Sequence, residues 1–389
     1  MTGLNSFSSI IHSMSTESVF KVDPRLVDVS DIVMRDVLGV KAGESMLIVT
    51  NPDEHPLEIS KSLFNAATKY EVEPTVIIQK RRSSDGKTDK RILAAISTMP
   101  NITISVSALS LGQDTGFDVL GQKYNPPYKY GDLERAKIFD IARNKGRGFW
   151  SPHITEDIWL RAVAVDYDSM KALGEKVASK LTNAKDIHIT TDKGTDVTFS
   201  FDGMIVEPST GPYKNIGDNG NEPTGEGFGT PVPGSTNGKL VFDGVIGGLS
   251  IGRLVLKEPV EVYVKDGTVV DVRGGAEART LMEQLDYYTK QCYQMADKSL
   301  GTLYASNVRK IGEFGFGLNP KARLEEDSSI VEWEKALKTM HAAIGSDYGR
   351  NPKTGPPLNP TLNHFDGLIK EPSVTVDGKP LMVAGEYVF

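Results

Sequence analysis

The sequence predicts an α/β N-terminal domain with a mostly parallel sheet, followed by an α+β C-terminal domain. Between residues 24 and 170, helical and extended patterns alternate, and units of this length favour parallel strands with helices on both faces. After residue 187, short strands follow one another at turn signals such as Lys193-Gly194. The chain has 389 residues, which is long enough for two domains.

The elements of the N-terminal half follow from apolar spacing, with a helix where apolar residues recur every three to four positions and a strand where β-branched residues cluster. The predicted helices are Asp31–Leu38, Leu57–Tyr70, Asp89–Ser97 and Glu134–Asn144, and the predicted strands are Ser45–Thr50, Pro74–Gln79 and Ile102–Val106. The turn after the first strand, Asn51–Pro56, contains no glycine. This disfavours a nucleotide-binding fold of the Gly-rich type.

The C-terminal half is predicted from shorter strands, two helices and one long segment. The predicted strands are Ile187–Thr190, Asp196–Phe201, Lys239–Phe242, Val260–Lys265 and Val269–Val272, and the helices are Ala276–Lys298 and Ser329–Lys338. The Gly- and Pro-rich stretch Gly211–Gly238 is expected to be a long ordered loop, and such loops are often functional. We therefore divide the chain into a frayed extension, 1–20, an α/β domain, 21–175, and an α+β domain, 176–389.

Composition excludes several classes of protein. The chain has 44 Lys and Arg against 51 Asp and Glu, a net charge of −7, without the concentrated basic charge that nucleic-acid binding needs. The single cysteine, Cys292, excludes an internal disulfide and a cysteine-based zinc site, and it favours a cytoplasmic protein. The sequence contains no run of 18 apolar residues, so it predicts no membrane-spanning helix.

Two segments near the C-terminus carry candidate ligands. His364 and Asp366 are two residues apart, so on a strand their side chains point to one face, where they can share a metal ion or act as an acid–base pair. A surface pair near a turn is the alternative for this motif alone. Glu313 lies in Ile311–Leu318, and the glycines beside it leave room for a metal or a substrate. The alternative is a glutamate on an open sheet face.

Two further segments add an imidazole and a carboxylate. His341 is followed by small residues and, seven residues on, by Tyr348, whose phenol can stabilise an oxyanion or help to transfer a proton. Glu226 is the only carboxylate among alternating glycines, whose spacing is not that of a phosphate loop. Taken alone, each fits a structural histidine or a solvated glutamate. Together the four segments offer five candidate metal ligands, Glu226, Glu313, His341, His364 and Asp366, and the patterns alone leave open whether they form one site.

These segments resemble the thermophilic aminopeptidase family, also called the aminopeptidase T or S type. The family carries a Gly-Glu followed by a proline, a Gly-Glu-x-Gly-x-Gly-x-Asn run, a His with a Tyr seven residues on, and a terminal Asn-x-Ser-x-x-His-x-Asp. The matching residues are Gly225-Glu226 with Pro231, Gly312–Asn319, His341 with Ala343, Gly345 and Tyr348, and Asn359 with Thr361, His364 and Asp366. Thr361 replaces the serine, and the resemblance is fragmentary in the N-terminal half.

The resemblance implies a cytoplasmic, homodimeric metallo-aminopeptidase acting on peptides or aminoacyl substrates. It implies two divalent ions, Zn²⁺ or Co²⁺ with Mn²⁺ as a further choice, on the five predicted ligands, with Tyr348 and Glu313 catalytic. The connection from His341 to His364 is 23 residues, shorter than in typical members, and this bears on substrate specificity.

Two alternatives remain open on the same scaffold. A related branch of the superfamily contains ring-opening dioxygenases that act on hydroxylated pyridines with one Fe²⁺. That branch resembles this chain in length and in the terminal His-x-Asp, and we expect it to carry a histidine where this chain has Glu313. The second alternative is a non-catalytic metal-binding protein.

Overall fold

The structure is a computed structural model that describes residues 18–82, 88–108, 128–130, 133–135, 146–248, 252–325, 328–347 and 358–389. These residues form three large sheets and one short hairpin. Among the described helices, none combines the length and the apolar composition that crossing a membrane would require.

The helices and strands are labelled in chain order. Helices α1 to α8 are Pro24–Ile32, Glu54–Lys69, Lys90–Ser97, Glu156–Ile158, Tyr167–Leu181, Ala276–Tyr293, Lys298–Asn307 and Ile330–Lys335, and the π-helical segments are Val33–Val37 and Trp159–Val163. Strands β1 to β11 are Ser45–Thr50, Glu73–Ile78, Ile102–Ser107, Tyr128–Tyr130, Leu133–Arg135, Arg147–Pro152, Ile187–Thr190, Asp196–Phe199, Glu207–Ser209, Asn219–Asn221 and Glu226–Gly229. Strands β12 to β22 are Asn237–Phe242, Val245–Gly248, Gly252–Val255, Val260–Lys265, Thr268–Arg273, Ile311–Gly317, Thr339–Gly345, His364–Lys370, Ser373–Val376, Lys379–Val383 and Glu386–Tyr387.

The predicted N-terminal parallel sheet is confirmed, with the strand order β10-β6-β3-β1-β2. In β1, Ile48 packs into the main core while its neighbours Leu47 and Val49 pack with Ile92 and Ile96 of α3 on the other face. Both faces of the strand are therefore buried, which explains its continuous apolar sequence. The sequence did not predict β6 or the contribution of β10.

The second sheet has the order β14-β13-β19-β18-β17-β11-β9, and one of its faces packs against the third sheet, β16-β15-β12-β8-β7-β20-β21-β22. Phe314 of β17 stacks on Phe199 of β8 with ring centroids 3.8 Å apart. Gly367 of β19 is needed for this close approach, because a Cβ there would lie 2.2 Å from the ring of Phe242 in β12. The opposite face of the second sheet points away from the third sheet.

Two predicted elements differ from the structure. The predicted loop Gly211–Gly238 contains β10, β11 and the start of β12. These strands were not predicted because glycine-rich segments have low strand propensity. The predicted helix Ala276–Lys298 is two helices, since Asp297 accepts a hydrogen bond from the backbone of Leu300 and caps α7.

Other predictions remain untested. The predicted helix Glu134–Asn144 lies outside the described residues except at its start, where Leu133–Arg135 is a strand. The extension 1–20 is likewise described only from residue 18. The division near residue 175 stays a prediction. Residues of both halves form one contiguous apolar cluster, and β10 of the second half pairs with β6 of the first.

Candidate metal centre

The five predicted ligands lie on four adjacent strands of the second sheet, β19, β18, β17 and β11. Asp366 pairs with Ala343, and Ala343 pairs with Glu313, so these residues form one row across three strands. Residues opposite one another in antiparallel strands share a face, and so do residues two apart on one strand. The same register places the other predicted ligands on this face: Glu226, His341 and His364.

The imidazole of His341 lies directly over Gly315 of the neighbouring strand. A Cβ at Gly315 would lie 2.0 Å from Cε1 and 2.2 Å from Nε2 of the ring. His341 Nε2 is 3.3 Å from Oε1 of Glu313. The glycine beside Glu313 therefore leaves room, but the imidazole of His341 occupies it, where the sequence predicted a metal or a substrate.

His364 is oriented by a backbone carbonyl. Its Nδ1 is 2.6 Å from the carbonyl oxygen of Ser346, an acceptor, so Nδ1 carries the proton when the ring is neutral. Nε2 then presents its lone pair 3.1 Å from Oδ1 of Asp366. A histidine that donates one ring N–H to a carbonyl and offers the other nitrogen is the usual arrangement of a metal ligand.

Helix α8 covers this face of the sheet and adds two charged residues that the sequence analysis missed. Lys335 is buried, and its Nζ is 2.8 Å from Oε1 of Glu226 and 2.8 Å from Oε2 of Glu334. The other oxygen of Glu226, Oε2, is 3.7 Å from Nε2 of His341. Nothing in the sequence marked these residues, since charged side chains on a short helix usually face solvent.

The electrostatics of the cluster are set by burial and by its excess of carboxylates. Burial alone would lower the pKa of His341, but the hydrogen bond to Glu313 and the charge of Glu226 raise it to about 9. Burial likewise opposes the charge of Asp366, which raises the pKa of His364 to about 9. The positive charge of His364 in turn holds the pKa of Asp366 below its ordinary value despite burial. Burial raises the pKa of Glu334 to about 7.

The cluster fits a metal ion. Glu313, His341 and Asp366 are all buried and offer ligand atoms within 4.8 Å of one another. Within the described part of the chain, Nδ1 of His341 is buried without a hydrogen-bond partner, and Oδ1 of Asp366 has none when Nε2 of His364 is unprotonated, although buried polar atoms are normally satisfied. When His341 and His364 are neutral, as metal ligands must be, the desolvated carboxylates need a compensating cation beyond Lys335. We therefore conclude that the protein binds metal.

One predicted catalytic residue has no described position. Tyr348 lies outside the described residues, which end at residue 347 and resume at residue 358. Its predicted role stays a prediction. The structure brings together the side chains of the other predicted residues. Glu226 lies closer to Lys335, at 2.8 Å, than to the predicted ligand His341, at 3.7 Å.

A family model described as NicX, 2,5-dihydroxypyridine 5,6-dioxygenase, matches residues 156–389, more than half of the chain. No curated protein shows significant sequence similarity to the chain. A 2,5-dihydroxypyridine dioxygenase from Pseudomonas putida KT2440 is similar in structure, with a TM-score of 0.64 and 15% identity over 93% of this chain and 96% of the other. AmpT from Thermus thermophilus has a TM-score of 0.61 and 16% identity over 94% and 99% of the two chains.

At these identities the two solved structures show a shared fold and leave the reaction open. The family match and the buried metal-ligand cluster together identify the protein as an enzyme. Hydrolysis and oxygenation are both represented on this fold.

Proposed function

We propose that this chain, which belongs to the family of NicX, 2,5-dihydroxypyridine 5,6-dioxygenase, uses the shared scaffold for metal-dependent aminopeptidase chemistry. Membership of a family fixes the scaffold, whereas the reaction depends on the residues of the site. The observation that carries the proposal is the ratio of ligands. The sheet face and α8 present four carboxylates, Glu226, Glu313, Glu334 and Asp366, and two imidazoles, His341 and His364.

This ratio favours a pair of ions over a single iron. Carboxylates can bridge two divalent ions about 3.5–4 Å apart, as in many aminopeptidases. The usual non-haem iron site has two histidines and only one carboxylate, with open positions for oxygen and substrate. We propose that Glu226, Glu313, His341, His364 and Asp366 hold two ions of the Zn²⁺ or Co²⁺ type, or Mn²⁺.

The chain's own residues position and neutralise the reacting groups. Bound divalent ions would supply an activated water and polarise the scissile carbonyl. Lys335 fixes one oxygen of Glu226 and leaves the other facing His341, which keeps that carboxylate oriented toward the site. The Ser346 carbonyl fixes the ring of His364 in the same way. We assign Glu313 to accept the proton of the attacking water and Tyr348 to stabilise the oxyanion of the tetrahedral intermediate.

Metal content and turnover test the proposal together. Mass spectrometry of the Zn²⁺- or Co²⁺-loaded chain should give two ions per chain, and Glu313→Ala and His364→Ala should each lose metal. Hydrolysis of Leu-p-nitroanilide is the activity assay. Tyr348→Phe should keep full metal content and lose turnover by roughly 10²- to 10³-fold, as for removal of one oxyanion donor. Full loading without turnover on any aminoacyl substrate would refute the aminopeptidase.

The second candidate is a ring-opening dioxygenase, favoured by the family match itself. His341, His364 and Asp366 alone make a two-histidine, one-carboxylate set of the kind that binds Fe²⁺. This candidate requires one iron per chain and uptake of O₂ with a hydroxylated pyridine. That result, with no amide hydrolysis, would replace the aminopeptidase with the dioxygenase.

A further inference from the structure

A cleft of about 450 Å³ lies at the carboxyl edge of the parallel sheet. Its walls come from the turn after β1, from the residues after β6, and from Arg253 with the start of α8. The chain passes from β1 to β2 on one side and then crosses to β3 on the other. Such a switch point, outside the carboxyl ends of parallel strands, is where α/β sheets bind ligands.

The sheet register links this cleft to the metal centre. Arg253 of β14 pairs with Gly247 of β13, and Gly247 pairs with Asp366 of β19. Arg253 therefore projects from the same face as the metal ligands, two strand spacings or roughly 10 Å from Asp366. The side chain of Ile330 lies over Gly247, where a Cβ would be 2.5 Å from its Cδ1, and it lines the cleft.

The charges of the cleft single out Arg253. Arg81 is hydrogen-bonded to Asp53, and His55 is 3.1 Å from a carboxylate oxygen of Glu156. Arg253 forms no ion pair with any residue in the described part of the chain, and its guanidinium donates to the backbone carbonyl of Ser328. The remaining N–H groups of a guanidinium can bind a carboxylate through two parallel hydrogen bonds.

His153 follows β6 and adds a second donor to this wall. Its backbone φ is 57°, a left-handed conformation that non-glycine residues seldom adopt and that is concentrated at ligand sites. Desolvation and the nearby charge of Arg253 lower the pKa of His153, because the imidazole and the guanidinium face the same region of the cleft. Both line the cleft together.

We propose that this cleft binds the C-terminal carboxylate of a short peptide through Arg253 and His153, with the amino-terminal residue at the metal centre. The proposal rests on the proposed aminopeptidase. An extended residue spans about 3.3 Å, so a separation of roughly 10 Å suits di- and tripeptides. Free carboxyl termini are then preferred over amidated ones.

Binding of Leu-Gly-Gly and of its C-terminal amide, measured by isothermal titration calorimetry on the full chain before metal loading, tests this without turnover. We expect the acid to bind about tenfold more tightly than the amide, because a charge-assisted contact is involved. Arg253→Ala should abolish this ratio, and Arg253→Lys should restore part of it. The charge-matched control is Arg279→Ala, an exposed arginine outside the cleft, which should leave the ratio unchanged.

The kinetic counterpart separates this proposal from the aminopeptidase itself. Arg253→Ala should raise KM for Leu-Gly-Gly about tenfold more than KM for Leu-p-nitroanilide, because the second substrate has no carboxylate. Equal binding of acid and amide by the unmodified chain would overturn the carboxylate site. If no peptide is hydrolysed, the aminopeptidase fails. Arg253-dependent binding of benzoate but not of Leu-Gly-Gly would then assign the cleft to an aromatic acid and refute the peptide.

Discussion

Replacing Gly315 by alanine should displace His341 and disable the metal centre. The new Cβ would lie 2.0 Å from Cε1 of the imidazole, whereas ordinary contact begins at 3.4 Å, so the ring must move by about 1.4 Å. Metal–ligand distances tolerate only about 0.2 Å. We expect metal affinity and turnover to fall by at least about 10²-fold, since a misplacement of 1 Å can cost that much. Overpacking should also destabilise the fold by roughly 1–3 kcal/mol.

The measurements are metal affinity by titration calorimetry, turnover, and thermal unfolding of the metal-free chain. Gly227→Ala is the matched control. It lies on the adjacent strand β11, and a Cβ there would be 3.6 Å from the nearest atom, Cγ1 of Val177. This control should keep metal affinity and turnover within about twofold, because an ordinary contact requires no displacement. If Gly315→Ala binds metal as tightly as the unmodified chain, the space above Gly315 does not position His341.

Three further predictions concern the charges of the cluster. His341 and His364 have pKa values near 9 and must lose protons to bind metal, so the metal affinity should rise with pH up to about 9. Calorimetric heats that depend on the buffer would show the release of protons, and a metal affinity independent of pH would contradict this prediction. These raised values stabilise the metal-free chain fully below about pH 6.5, and that stability is lost as pH rises through 9, which thermal unfolding across this range can measure. Lys335→Met should destabilise the metal-free chain by about 3–5 kcal/mol, because it leaves Glu226 and Glu334 buried without their cation, and added Zn²⁺ should raise its unfolding temperature more than that of the unmodified chain.

The sequence by itself determined the parallel N-terminal sheet and the identity of the candidate ligands. β1 has the predicted bounds, Ser45–Thr50, because an apolar run closed by a turn is a strong local signal. The spacing of His364 and Asp366 likewise required only that the segment be a strand.

Only the tertiary structure decided how these residues meet. Register between β17 and β18 places His341 over Gly315, and register is a property of strand pairs that no single segment encodes. The burial of Lys335 against Glu226 depends on where α8 lies on the sheet, since helical spacing alone gives no partner. Arg253 came to the metal-bearing face in the same way, through its pairing with Gly247 and the pairing of Gly247 with Asp366, which is more than a hundred positions away in the chain. Local patterns specify elements, but long-range packing specifies the site.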